Sequence, residues 1–248
     1  MNFHIITIFP ESFDSYLKES IIGRAIENKL IAVEFYNPRD FLPKTDNNYK
    51  PVDDKPYGGG PGMILKLEPI IKTVEAIKKK ILPKSKNLVN IKNKKIKVII
   101  FSPSGKKFDT TYAKKISQKY SDIILISGRY EGIDARVKKI IKSFPEFGIS
   151  GALSWDVDEI SIGDYVLTGG ELPAMVLIDC ISRQIPNVLG KYDSLEENRI
   201  SSSEVYTRPE IFKYNGKNYK VPKVLLSGNH KKIEEWKLKS KSPQSVLK

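Results

Sequence analysis

The sequence predicts an α/β domain in which helices cover a mostly parallel sheet. Short β-branched runs alternate with segments of helical periodicity, and two of those runs are apolar almost without interruption. Such an order builds βαβ units, whose strands lie parallel and whose helices seal both faces of the sheet.

Taken in order, Phe3 to Ile8 reads as the first strand and Ser15 to Asn28 as the helix after it, with Ala32 to Phe35 as a second short strand. Lys and Asn crowd around Pro83 between Lys78 and Lys97, which marks a helix end followed by an exposed basic connection. Lys97 to Phe101 and Ile123 to Ser127 contain Val98-Ile99-Ile100-Phe101 and Ile123-Ile124-Leu125-Ile126, the pattern of central strands buried on both faces, and Thr110 to Tyr120 is the helix between them. The loops that follow, Ser102-Pro103-Ser104-Gly105 and Gly128-Arg129-Tyr130-Glu131-Gly132, then lie at the carboxyl edge of the sheet, where open α/β sheets bind ligands.

Within Val137 to Glu159, Val137 to Lys142 is helix-like, Phe144-Pro145 breaks it, and a mixed stretch runs through Trp155, with no element assigned to the span. Leu172, Met175, Val176, Ile178 and Ile181 are spaced for a helix from Pro173 to Arg183, with proline at the helix entry and Pro186 and Gly190 beyond its end. Lys191 to Glu204 is polar, charged and poor in apolar anchors, as linkers are. The expected organisation is a main domain over 1–190, a linker over 191–206 and a small C-terminal region over 207–248.

A chain of 248 residues can bury a full core without staples. Its net charge of +13 favours a polyanionic partner, nucleic acid first, although a lysine-rich solvated surface accounts for the number equally well. Cys180 is the sole cysteine, which excludes an intramolecular disulfide, and with His4 and His230 as the only histidines it excludes a Cys/His zinc site. The apolar start, Phe3 to Phe9, is cut by Pro10 and Glu11, too short for a signal peptide or a membrane span. A soluble, cytoplasmic protein is expected, with no membrane partner. Neither a Walker A loop nor a strand-borne GxGxxG occurs, which argues against nucleotide hydrolysis and dinucleotide redox chemistry.

Two glycine-rich segments stand out. Pro56-Tyr57-Gly58-Gly59-Gly60-Pro61-Gly62-Met63 implies unusual backbone angles or close approach to a partner, and read alone is equally an ordinary loop. Ser161 to Met175, SIGDYVLTGGELPAM, is a turn-rich stretch able to wrap an apolar or aromatic ligand with backbone hydrogen bonds. Asp164, Glu171, Glu131 and Asp134 are carboxylates within these loops, open to roles as metal ligand or base and equally to turn and capping roles. Arg183 sits late in a helix, where the helix dipole favours a cation with or without a function.

Together, PYGGGPGM at 56–63, SGRYEGID at 127–134, SIGDYVLTGGELPAM at 161–175, YTRPE at 206–210 and LLSGNH at 225–230 resemble the bacterial tRNA (guanine-N1)-methyltransferases. The resemblance starts at Ile5-Ile6-Thr7-Ile8-Phe9-Pro10-Glu11, passes through Asn37-Pro38-Arg39-Asp40-Phe41 and reaches Trp236. It implies a SPOUT-class parallel-sheet α/β domain with a deep trefoil knot, which patterning alone cannot reveal because knots are so rare. It also implies a truncated helical C-terminal domain, a homodimer with active sites at the subunit interface, and methylation of the guanosine just 3′ of the anticodon in tRNA.

By the same resemblance S-adenosyl-L-methionine is the methyl donor, with Mg²⁺ an admissible companion and no metal ligands assigned. The donor would be held by Ser102, Pro103, Gly105, Gly128, Tyr130, Glu131, Ile162, Gly163, Asp164, Tyr165, Val166, Leu167, Gly169, Gly170 and Pro173. Arg183 matches the family's catalytic arginine. The family's base is an aspartate in the following linker, and an ungapped count from Arg183 brings that position to Asn198, which cannot take up the proton. The linker is also shorter than usual, so Glu197 is the preferred substitute, with Glu196 and Asp193 open. Two further departures are extra length between Asp134 and Ser161 and an early end at Lys248. The alternatives are a SPOUT methyltransferase with another RNA target and a non-catalytic RNA-binding relative.

Overall fold

A computed structural model of the chain describes residues 1–43, 50–81, 94–144, 153–190 and 204–240. The chain divides into two compact units, Met1–Val188 and Leu189–Lys248.

In the first unit five strands form one sheet: β1 (Asn2–Ile6), β2 (Ala32–Tyr36), β5 (Lys94–Lys107), β6 (Asp122–Ile126) and β7 (Leu153–Ser161). Their order is β2-β1-β6-β5-β7 and every pairing is parallel. Two short strands, β3 (Asp53–Asp54) and β4 (Ile64–Leu65), pair apart from the main sheet. The helices are α1 (Asp14–Leu17), α2 (Ser20–Glu27), α3 (Leu67–Ile81), α4 (Thr110–Lys119), α5 (Arg136–Lys142) and α6 (Glu171–Ser182).

The uninterrupted apolar runs resolve into two faces because strand side chains alternate. Phe3, Ile5, Ile99, Ile123 and Leu125 turn to one side, under Ile22 of α2, Ile116 of α4 and Leu177, Ile178 and Ile181 of α6. Ile6, Val98, Ile100, Ile124 and Ile126 turn to the other, under Ile70, Val74 and Ile77 of α3 and Val137 and Ile141 of α5. At roughly 1.5–3 kcal/mol per buried aliphatic side chain, these two layers are what holds the sheet's carboxyl edge in place.

The structure departs from the sequence reading in three places. The helix expected over Ser15 to Asn28 is split, because Ser20 takes a φ of 54° and a left-handed residue cannot continue a right-handed helix. Strand β7 occupies the end of the span to which the sequence assigns no element. Its Asp156 and Asp158 pair with the buried Lys97 ammonium of β5 at 3.0 and 2.6 Å, so carboxylates stand where a strand pattern asks for apolar residues. The Tyr112 and Tyr120 hydroxyls, from α4 and the residue after it, donate to Asp158 and Asp156 respectively.

The third departure is the C-terminal unit, which was expected to be helical. It opens with an antiparallel hairpin, β8 (Ile211–Tyr214) and β9 (Lys217–Lys220), before α7 (Lys223–Leu226) and α8 (His230–Lys239). Asn215-Gly216 makes the two-residue turn with both φ angles positive, the hairpin signal that the helical expectation passed over.

Candidate active site

Strand β5 does not run smoothly past the carboxyl edge. Phe101 and Lys106 both lie opposite Ile160 of β7, so Ser102-Pro103-Ser104-Gly105 is pushed out of the ladder as a loop. Gly105 closes that loop against β7, where a Cβ would come within 2.6 Å of the Ile160 amide nitrogen. The loop after β6 and the segment after β7 meet beside it. Gly170 N donates to Gly128 O at 2.8 Å, Arg129 and Gly169 form an antiparallel bridge, and a Cβ on Gly170 would lie 2.6 Å from the Ser127 Cα.

These three segments enclose a cavity of about 260 Å³. Its walls are Phe101, Ser102 and Pro103; residues 128–132; Ile160 to Gly163; Tyr165, Val166 and Leu167; and Gly169, Gly170 and Pro173. The lining is apolar side chain and exposed backbone, and among the residues that form it only Arg129 and Glu131 carry charge.

Glu171 organises the back of the cavity. It opens α6, where the helix N-terminus favours a carboxylate, and is 4% exposed. Its Oε1 accepts the Thr7 hydroxyl at 2.8 Å and its Oε2 pairs with Arg129 Nε at 3.0 Å. Thr7 Oγ1 in turn accepts the Phe9 amide at 3.0 Å, and the Arg129 guanidinium lies 4.5 Å from the centre of the Phe9 ring. Arg129 Nε meets that carboxylate as an ion pair without the alignment of a hydrogen bond, and the charge at one edge and the ring on one face restrict the guanidinium. Thr7, at the end of β1, thus fixes a group across the site.

The loop 128–132 is anchored from the other side by the segment that follows the glycine-rich run. Glu131 N donates to Met63 O at 3.0 Å and Leu65 N to Gly132 O at 3.0 Å. Tyr130 adopts a φ of 57° there, and desolvation followed by the negative charge of Asp53 raises its phenol above the ordinary value.

Of the fifteen residues expected to hold a donor, the cavity gathers all except Gly105 and Asp164. Gly105 serves the packing of the loop, as above. The Asp164 side chain is 88% exposed and pairs with Lys107 at 2.8 Å outside the lining. Arg183 is half-buried as the C-cap of α6, its amide donating to Asp179 O at 3.0 Å, and is not in the cavity wall. Asp193, Glu196, Glu197 and Asn198 lie outside the described residues. Phe101, Arg129, Gly132, Ile160 and Ser161 also line the cavity and were not anticipated. Arg129, Gly132 and Ser161 sat inside motifs already singled out; Ile160 went unseen with β7.

Asp134 is bound by Arg136 at 2.6 Å, and that hydrogen bonding holds its carboxyl below the ordinary range. With Glu171 committed to Thr7 and Arg129, Glu131 is the carboxylate that faces the cavity. Among the described residues no three His, Cys, Asp or Glu side chains gather as a metal cluster.

A cavity at the carboxyl edge of a parallel sheet, walled by backbone and apolar groups with one cation and one anion, defines a small-molecule-binding α/β protein. The family model for tRNA (guanine-1)-methyltransferase TrmD matches residues 1–248, and the chain belongs to that family. It is similar to the tRNA (guanine-N(1)-)-methyltransferase of Clostridioides difficile strain 630, with 47% identity over 96% of this chain and 90% of the relative. The enzymes of the same name from Finegoldia magna (42%, covering 100% and 93%) and Buchnera aphidicola (43%, covering 96% and 88%) are also similar.

Proposed function

We propose that this chain transfers the methyl group of S-adenosyl-L-methionine to N1 of the guanosine at position 37 of tRNA. The observation that carries the reading is the coincidence of family membership along the whole chain with a cavity built from the segments that the family resemblance assigns to the donor.

The cavity's chemistry suits that donor. Ile160, Ile162, Leu167 and Pro173 offer apolar surface for an adenine ring, and the backbone of the glycine turns can meet its edge. The methionine half carries a carboxylate, an ammonium and a sulfonium, for which Arg129 and Glu131 are complementary charges. When bound, S-adenosylmethionine supplies an electrophilic methyl whose bond to sulfur breaks as a bond to guanine N1 forms.

The protein's own task is the proton. Guanine N1 is protonated at neutral pH and is a poor nucleophile until a base removes that proton, while a cation near O6 stabilises the charge that develops there. Arg183 is the proposed cation. Glu197 is the proposed base, ahead of Glu196 and Asp193, because Asn198 has no basic oxygen of the required strength.

Further parts of the reading rest on the family and on local support. The SPOUT knot is supported by the close passage of the segment after β7 against the loop after β6, through Gly170 and Gly128. A homodimer is supported by Leu172 and Val176, apolar side chains one turn apart on α6 that remain exposed. Residues 1–190 would then form the donor-binding domain and 207–248 a tRNA-binding region, working in the cytosol where tRNA is found. Among the described residues no helix is long and apolar enough to cross a membrane.

The test is transfer of labelled methyl from S-adenosylmethionine to a tRNA transcript with guanosine at position 37, beside one with adenosine there. Transfer to the first alone is expected, with Glu197→Gln lowering kcat by about 10²-fold or more. Donor binding without transfer to either RNA would overturn the assignment.

A further inference from the structure

The β8–β9 hairpin carries an aromatic surface that none of the described residues of its own unit covers. Phe212 lies opposite Tyr219 and Tyr214 opposite Lys217, so these four side chains share one face of the ribbon. Phe212, Tyr214 and Tyr219 are 55, 58 and 57% exposed. Phe212 and Tyr214 lie nearly parallel, 14° between ring planes and 6.5 Å between centroids. A two-stranded ribbon is marginally stable by itself, and three large aromatic rings in water cost it further. Tyr and Phe here are not fillers of a core, because every residue of both strands is exposed.

The surrounding charge says what would cover them. Between positions 208 and 223, Arg208, Lys213, Lys217, Lys220 and Lys223 stand against the single carboxylate Glu210. Lys213 and Lys220 take the opposite face of the ribbon, so Lys217 is the strand cation beside the rings; flat aromatic faces with an ammonium at their edge match unpaired nucleotides, whose bases stack on the rings while a phosphate meets Lys217. A second copy of this chain, pairing through the same face, would bring a further Lys217 and no carboxylate to meet it.

We propose that the β8–β9 hairpin is a base-stacking platform for unpaired nucleotides of the RNA substrate, with Phe212, Tyr214 and Tyr219 as the stacking surface and Lys217 on the adjoining phosphate. The proposal rests on the RNA-modifying reading above and adds a place and a mode of contact.

The experiment compares the full-length protein with Phe212→Ala/Tyr214→Ala, Phe212→Trp and Lys217→Ala. Binding to a tRNA transcript is followed by fluorescence anisotropy over a salt series, donor-site binding by calorimetry with S-adenosylhomocysteine, and oligomeric state by ultracentrifugation. The double variant is expected to weaken tRNA binding by about tenfold or more with an unchanged salt slope, since stacking releases no counterions. Phe212→Trp should retain the affinity, and Lys217→Ala should reduce the salt slope by about one. S-adenosylhomocysteine binding should be unchanged in all three. Unchanged tRNA affinity in the double variant would overturn the proposal, and so would its dissociation into smaller species, which would assign the face to a second copy. If the parent protein binds no tRNA, the functional reading itself fails, and with it this extension.

Discussion

Replacing Glu171 separates its charge from its shape. The side chain is 4% exposed and serves two partners, the Thr7 hydroxyl at 2.8 Å and Arg129 Nε at 3.0 Å. Glu171→Gln keeps an acceptor for Thr7 and removes the charge opposite Arg129. The Arg129 side chain is 24% exposed, so water screens part of the loss, and a cost of about 1–2 kcal/mol is expected. Glu171→Ala also strips Thr7 of its acceptor and leaves a cavity, for about 3–4 kcal/mol. Thr7→Val keeps the volume but removes a hydroxyl that donates to the buried carboxylate and accepts the Phe9 amide, for about 2–3 kcal/mol.

For a domain of this size 1 kcal/mol corresponds to a Tm change of roughly 2–4 °C, so Glu171→Gln should melt roughly 2–8 °C below the parent. Urea unfolding followed by circular dichroism gives the same ordering in free energy. Because Arg129 lines the cavity, S-adenosylhomocysteine binding should also weaken in Glu171→Gln, by about tenfold at 1.4 kcal/mol, and less in Thr7→Val. A Glu171→Gln protein with unchanged midpoint and unchanged ligand affinity would refute the role assigned to this carboxylate. So would a Thr7→Val protein that loses more stability than Glu171→Ala.

Four further outcomes are expected. Lys97 is 3% exposed while Asp156 and Asp158 are more open, so Asp156→Asn/Asp158→Asn, which strands a buried ammonium, should cost about 3–5 kcal/mol in urea unfolding, more than Lys97→Met. Desolvation opposes ionisation of both aspartates, yet the hydrogen bonds from Tyr120, Tyr112 and Lys97 outweigh it and hold both carboxyls below the ordinary value of about 3.8. Their contribution is therefore present above that value and lost as pH falls through the lower folded-state value; acid titration of Lys97→Met should show a shallower loss of stability over that range than the parent. Gly170→Ala should reduce S-adenosylhomocysteine binding at least tenfold in calorimetry, because its Cβ would lie 2.6 Å from the backbone of Ser127 and the loop would have to move. Arg183→Ala should lower kcat by about 10²–10³ in the methyl-transfer assay with little change in S-adenosylhomocysteine affinity, the arginine being outside the cavity wall.

The parallel sheet was legible from short β-branched apolar runs such as Ile123 to Ile126 alternating with helical segments, and that order put the two glycine-bearing loops at the carboxyl edge. The motifs within those loops carried most of the cavity wall. Strand β7 stayed hidden because Asp156 and Asp158 imitate a polar segment; only the sheet reveals the Lys97 ammonium lying across from them, where the charges satisfy one another out of water. The Asn215-Gly216 turn is equally readable in the sequence, and the helical expectation for that unit took no account of it.

Local sequence therefore determined which segments form strands, which loops are glycine-rich, and which family the chain resembles. The tertiary structure decided the partnerships. Thr7 and Glu171 are 164 positions apart, and no local pattern relates a threonine ending one strand to a carboxylate opening a distant helix. Their meeting follows from strand order, which places the end of β1 next to β6 and its loop, and strand order is a property of the packed sheet that the chain acquires only on folding.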